Sequence, residues 1–415
     1  MKILFSHPTG NANVRAALKG IYEAKLLGFF YTSIACFSGS LLDILSKIPQ
    51  LTEIRRRQFD PALAPFTKMY GFKEFGRLAA SKLGLNILTN HVTGFFSIYS
   101  ACQYIDNKVS KALSQYKNLE AVYAYEDGAL HSFRKAKRLN ITCLYDLPIG
   151  YWRTSRILLE EERNQRPDWA STLTGFKDST KKLESKDEEL ALADHIIVAS
   201  SFTKQTLNDY PGELAAVTVI PYGFPPVVSG RIYADLTNKP LKLLFVGGLS
   251  QRKGIANLLE AVALLGDAVS LTIVGHKPVE DCQPLNTALK LHHYIPSLPH
   301  DAILQLMREH DVFVFPSLFE GFGLVITEAM SQGTPVITTD RTAGADLIVD
   351  GENGWLVQAG STASLKQCIE NLVNNTSLVA QAGKLAIETA RERPWDRYSK
   401  ELSSFIKQHA SIKKH

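Results

Sequence analysis

The chain reads as an α/β protein made of two doubly wound, Rossmann-like parallel-sheet domains. Three observations predict this. Short apolar runs alternate with helical patterns along most of the chain, as in parallel sheets. At 415 residues the chain exceeds what one hydrophobic core usually holds. The best linker in the chain, 222–240, with Gly223, Pro225, Pro226, Gly230 and Pro240, separates two strand–helix series. We expect a first domain over 1–222, a linker over 223–240 and a second domain over 241–392.

Taken in order, residues 2–6 predict the first strand, 7–13 a turn and 14–27 a helix by apolar spacing. Further strands are expected over 29–35, 121–124, 141–145, 195–199 and 217–220, and a second series begins at Leu241. The run 312–315 reads as a buried strand that ends at Pro316. The run 324–330 reads as a helix, stopped by Gly333-Thr334-Pro335 before a strand over 336–339. Pro394 should open a final helix.

Composition narrows the class. Apolar content of 45% and charged content of 21% are ordinary for a soluble enzyme. Cys36, Cys102, Cys143, Cys282 and Cys368 are scattered without metal or redox spacing, which predicts reduced thiols and a cytoplasmic setting. Ile3-Leu4-Phe5 is quickly followed by polar residues and Pro8, unlike a secretory signal. The uncharged stretches 26–42 and 83–105 are interrupted by glycines and polar residues, so neither reads as a membrane span. A net charge of +5 without a helix-turn-helix, zinc or RNA-recognition signature argues against nucleic acid. An anionic small ligand or a negatively charged membrane face accounts for it equally well. The first loop holds only Gly10 of the three glycines in a dinucleotide fingerprint, which argues against a nicotinamide enzyme.

The most informative feature is the pair Glu320 and Glu328, in PSLFEGFGLVITEAMSQGTPVITTD. The acids bracket a Gly321-Phe322-Gly323 turn and a helix start, at the carboxyl end of a strand, where open sheets bind ligands. Free N–H groups and a helix N-terminus welcome an anion there. Carboxylates beside an anion site suit hydroxyls, as on a sugar and a ribose flanking a phosphate. A plain helix cap would need only one acid near the first turn. Upstream, Arg252 and Lys253 lie between Val246-Gly247-Gly248 and Gly254, and such cations suit a diphosphate. The bland alternative is a solvated basic turn. No D-x-D acid pair for a divalent ion is present, so neither a metal nor another cofactor is expected.

These motifs resemble the E-x7-E element and its surroundings in the retaining family-4 glycosyltransferases, which have the GT-B fold. The likeness covers most of the second half: LKLLFVGGLSQRKG, LTIVG and AGADLIVDGENGWLV accompany the acid pair. It is looser in the first half, ending with ADHIIVASSFTKQTL and VIPYGF. The resemblance implies a metal-independent, retaining transfer of a sugar from a UDP- or GDP-sugar to a hydroxyl acceptor, a glycan or a lipid-linked sugar. It also implies that the last helix, within 393–415, crosses back to the first domain. Two rivals are a GT-B nucleotide-sugar epimerase and a non-catalytic nucleotide-sugar-binding scaffold.

By the same resemblance, Glu320 faces the transferred sugar and Glu328 the ribose. Arg252 and Lys253 neutralise the diphosphate, and N–H groups around Phe322, Gly323 and Leu324 meet the sugar or phosphate. Gly248 lets backbone approach the ligand, while Gly275 and Ile295 wall the base pocket. His293, where the family usually has glycine, either reshapes that pocket or points away as a surface histidine. In the first domain, Gly10, Asn11 and Arg15 are expected over the donor phosphate, although asparagines there also suit a helix cap. Asp146 is expected to reach the donor sugar, with Asp127 second; a buried salt bridge or turn acid is the alternative for Asp146. Basic and aromatic residues interleave over 54–82, which fits peripheral contact with an anionic inner membrane face. Two ordinary packed amphipathic helices would give the same pattern.

Overall fold

The computed structural model describes residues 1–410 except 47, 49–53, 56, 235 and 237. Arg56 of the basic segment, two linker positions and 411–415 therefore lie outside the described residues. The first sheet contains β1 (Ile3–Ser6), β2 (Leu27–Thr32), β3 (Thr67–Met69), β4 (Ala121–Tyr125), β5 (Thr142–Leu147), β6 (His195–Val198) and β7 (Val217–Val219). Their order is β3-β2-β1-β4-β5-β6-β7, with parallel pairings. The second contains β8 (Leu241–Val246), β9 (Val269–Val274), β10 (His293–Ile295), β11 (Val312–Phe315), β12 (Val336–Thr339) and β13 (Gly354–Val357). They run β10-β9-β8-β11-β12-β13, again parallel. Helices cover such sheets on both faces, which explains why β1, β4, β5, β11 and β12 are buried throughout.

The first helix spans Ala12–Glu23 rather than 14–27. It ends because Lys25 takes a left-handed φ of 60°, which frees Leu27 to begin β2. Residues 33–35, expected in the second strand, lie beyond its end at Thr32. The edge strand β3 was not expected; Thr-Lys-Met has no apolar run to announce it.

The last helix, Trp395–His409, follows Pro394 and packs against the first helix. Ser399 Oγ donates to the Ala16 carbonyl at 2.8 Å, and Lys19 pairs with Asp396 at 2.7 Å. Arg393 donates to the carbonyls of Pro221 and Tyr222 where the chain first leaves the first domain. Both crossings between the sheets are thus tied together.

Candidate active site

A cleft of about 290 Å³ opens between the carboxyl edges of the two sheets. Asn11, Asn13, Pro148 and Tyr222 line it from the first domain. Gly248, Lys253, Glu320, Phe322, Gly323 and Leu324 line it from the second.

The loop after β11 carries Glu320, and local chemistry fixes its path. Ser317 Oγ donates to the Arg252 carbonyl at 3.1 Å, while Thr339 Oγ1 donates to the Ser317 carbonyl at 2.6 Å. Gly323 has φ 85°, a conformation that favours glycine, and precedes the helix Leu324–Ser331. That helix has no side-chain cap, so its first N–H groups face the cleft unclaimed by a cap. Gly321 makes the closest approach to the first domain. Its carbonyl accepts from Ser200 Oγ and from Thr203 Oγ1 at 2.8 Å. A Cβ there would lie 1.9 Å from the Pro148 carbonyl oxygen.

Arg252 and Lys253 come from the 3₁₀ turn Gln251–Lys253 after β8, and the structure brings both onto Glu320. Arg252 Nη1 reaches Glu320 Oε2 at 3.2 Å and the Phe319 carbonyl at 2.8 Å; Lys253 contacts the same carboxylate oxygen. The Lys253 ammonium also sits 4.8 Å from the centre of the Phe315 ring. Burial pushes the Arg252 guanidinium down to about 10. Burial, and then the neighbouring Arg252, push Lys253 well below its ordinary value, while contact with Glu320 works the other way. Two desolvated cations facing one carboxylate leave a positive excess, which an incoming anion would relieve.

Glu328, one turn into its helix, is absent from the cleft lining and pairs instead with His300 Nε2 at 3.0 Å. That hydrogen bond holds the His300 imidazolium above its ordinary pKa. An isolated histidine 28 residues away gave no sequence signal for this contact. Gly10 packs against the Phe59 ring and gives its carbonyl to Arg15. Asn11 precedes the first helix without a side-chain capping bond and remains free to line the cleft. Asn13 donates to the Tyr222 hydroxyl at 3.1 Å, and Tyr222 rests against Phe322 with ring centres 4.9 Å apart. Gly275 and Ile295 are joined by an N–H to carbonyl bond of 3.0 Å, and neither lines the cleft. His293 is an exposed residue at the start of β10, away from the carboxyl ends, and lines a separate hollow with Thr272.

Neither first-domain acid lines the cleft. Asp146 is 1% exposed and accepts a 2.6 Å hydrogen bond from Tyr123. Burial raises its carboxyl to about 7 against that hydrogen bond. Asp127 has a left-handed φ of 67°, and its carboxylate turns to Lys182 at 3.4 Å. The segment 54–82 is also divided: Ile54, Arg57 and Phe59 are buried, Arg57 pairs with Glu74, and Tyr70 stacks on Tyr31.

Two parallel sheets with their carboxyl edges around this cleft form a GT-B architecture. The sequence pattern described as "Glycosyl transferases group 1" matches residues 234–389. Over that span the chain is similar to the group 1 glycosyltransferases. It is similar to the capsular polysaccharide biosynthesis glycosyltransferase CapM of Staphylococcus aureus, with 25% identity over 57% of this chain and 68% of CapM. The phosphatidyl-myo-inositol mannosyltransferase of Mycobacterium leprae is 33% identical over 37% of this chain. The chain spans only 42% of that relative's length. In fold it is similar to Anabaena Alr3699/HepE, solved in complex with UDP and glucose: the TM-score is 0.63 and identity 18%, over 98% of this chain and 100% of the other. The family match and the names of these relatives support a glycosyltransferase enzyme.

Proposed function

We propose that this glycosyltransferase moves a sugar from a nucleoside-diphosphate sugar, with UDP or GDP as carrier, to a hydroxyl acceptor with retention and without a metal. The observation that carries this reading is the convergence of Arg252 and Lys253 on Glu320 at the cleft wall. A diphosphate would draw both cations from the carboxylate and leave Glu320 free to accept hydrogen bonds from sugar hydroxyls. As the sugar bond breaks, negative charge grows on the departing phosphate, where fixed cations and the helix N-terminus stabilise it most. Glu320 is the one carboxylate among the described residues lining the cleft, which favours the leaving phosphate as the group that takes the acceptor proton. Retention follows if attack occurs on that same face.

The names of CapM and the Mycobacterium mannosyltransferase support a glycan or lipid-linked acceptor. A cytoplasmic enzyme in peripheral contact with an anionic membrane face fits this reading. Its test is a thermal-shift panel of UDP, GDP and their sugars, followed by product analysis with and without EDTA. Retained anomeric configuration and EDTA-resistant turnover support it. Free interconverted nucleotide-sugar would identify an epimerase instead. Donor that binds but never releases diphosphate would identify a scaffold.

A further inference from the structure

The first domain carries an apolar surface that its core does not use. Eleven of the eighteen exposed large apolar side chains among the described residues lie between positions 41 and 98, so the concentration is local. Leu41, Ile44, Phe72, Phe75, Leu83 and Ile87 are 72, 59, 59, 45, 73 and 87% exposed. The helix Phe72–Lys82 has its usual polarity reversed. Phe72, Phe75 and Ala79 share its exposed face, while Glu74 is buried at 1% exposure, held by Arg57 and by Arg77 at 2.7 Å. Surface helices ordinarily place charge outward and phenylalanine inward.

The part of this surface built on the Phe72 helix is basic. Phe72 meets Phe96 with ring centres 5.9 Å apart, which joins the helix to the following loop, and Lys73 sits 3.1 Å from the Phe95 ring centre. Over 67–98 the cations are Lys68, Lys73, Arg77 and Lys82; the one acid is Glu74, already paired inside. The Phe72 helix starts just past the carboxyl end of β3, and the helix Leu41–Leu45 follows that of β2. Both helices therefore begin on the carboxyl side of the first sheet, the side that carries the cleft. No described helix is long and apolar enough to cross a membrane.

We propose that this rim is the surface by which the enzyme seats on an anionic lipid bilayer. Phe72, Phe75, Leu83 and Ile87 enter the headgroup boundary, while Lys68 and Lys82 meet lipid phosphates. The surface shares Lys68, Phe72, Phe75 and Lys82 with the 54–82 segment expected from sequence, leaves out its buried first part and extends past it to Leu83 and Ile87. Resting on the transferase reading, it deepens that reading by making the acceptor a lipid-embedded hydroxyl presented at the cleft mouth.

Flotation of the full chain with phosphatidylcholine–phosphatidylglycerol vesicles, beside phosphatidylcholine alone, tests the proposal. The wild type should float with the anionic vesicles at low salt and not with the neutral ones. Phe72→Ser/Phe75→Ser should reduce flotation at least about tenfold, with its UDP thermal shift unchanged. Lys68→Ala and Lys82→Ala, which alter exposed side chains only, should each weaken partitioning about fivefold. Wild type that does not float, or variants that float equally, would overturn the proposal. So would a solution dimer that Phe72→Ser/Phe75→Ser makes monomeric while no form floats, because a second copy would then cover the patch. Failure of the UDP shift in wild type strikes the donor reading alone, so the two ideas fail separately.

Discussion

At the carboxyl edges of the two sheets, acids occupy equivalent topological positions and behave in opposite ways. In the second domain Glu320 follows β11 and turns into the cleft, where Arg252 and Lys253 meet it. In the first domain Asp146 is the penultimate residue of β5 and turns into the core, where the Tyr123 hydroxyl donates to it. The difference lies in what stands beside each acid. A glycine-bracketed loop held outward by Ser317 and Thr339 exposes the first, while a tyrosine on the neighbouring strand draws in the second. A strand-end carboxylate is therefore informative only together with the groups that can hold it.

The comparison breaks most readily at Glu320. Removing that acid, or replacing Arg252 or Lys253 by alanine, should lower kcat by roughly 10²–10³. Steady-state transfer rates check this, and unchanged turnover in all three variants would remove the cleft from consideration. Asp146→Asn should instead leave transfer near wild type and alter stability. A carboxyl raised to about 7 binds more protons folded than unfolded, so stability falls as pH rises from the ordinary aspartate value to about 7 and is level above. The span corresponds to at most about 4 kcal/mol. Melting curves at pH 5 and pH 8 should show a drop in wild type that Asp146→Asn lacks; loss of transfer at unchanged stability would reverse the contrast.

Glu328→Ala tests whether an acid off the cleft wall still serves the donor. Loss of a charged hydrogen bond of about 1.5–3 kcal/mol should weaken nucleoside-diphosphate binding by roughly 10- to 100-fold, with a smaller change in kcat. Calorimetric titration with UDP and GDP measures it. The smallest effect belongs to His300. Because its folded pKa is raised, its stabilisation is complete below the ordinary histidine value and fades as pH climbs through the raised one. His300 is more than half exposed, so His300→Ala should cost no more than about 1 kcal/mol at pH 5 and almost nothing at pH 9. Equal losses at both values would show that packing, not charge, matters there.

The sequence made the second half far more legible than the first. Gly321, Gly323 and Glu320 announce by residue type the loop that lines the cleft, and Pro394 announces the returning helix. Asp146 could not be oriented in this way. Both faces of a parallel sheet are covered, so strand periodicity does not distinguish cleft from core. Interleaved basic and aromatic residues predict membrane contact, but the pattern does not reveal which side chains turn inward. Glu74 and Phe59 are buried while Phe72 and Phe75 are open, and that reversal appears only in three dimensions.

Gly321 has one more consequence. Its carbonyl is clasped by two hydroxyls of the opposite lobe, so prising the lobes apart must tug on the residue next to Glu320. Opening the cleft and unseating the acid then become a single event. Any side chain at position 321 would wedge the jaws ajar.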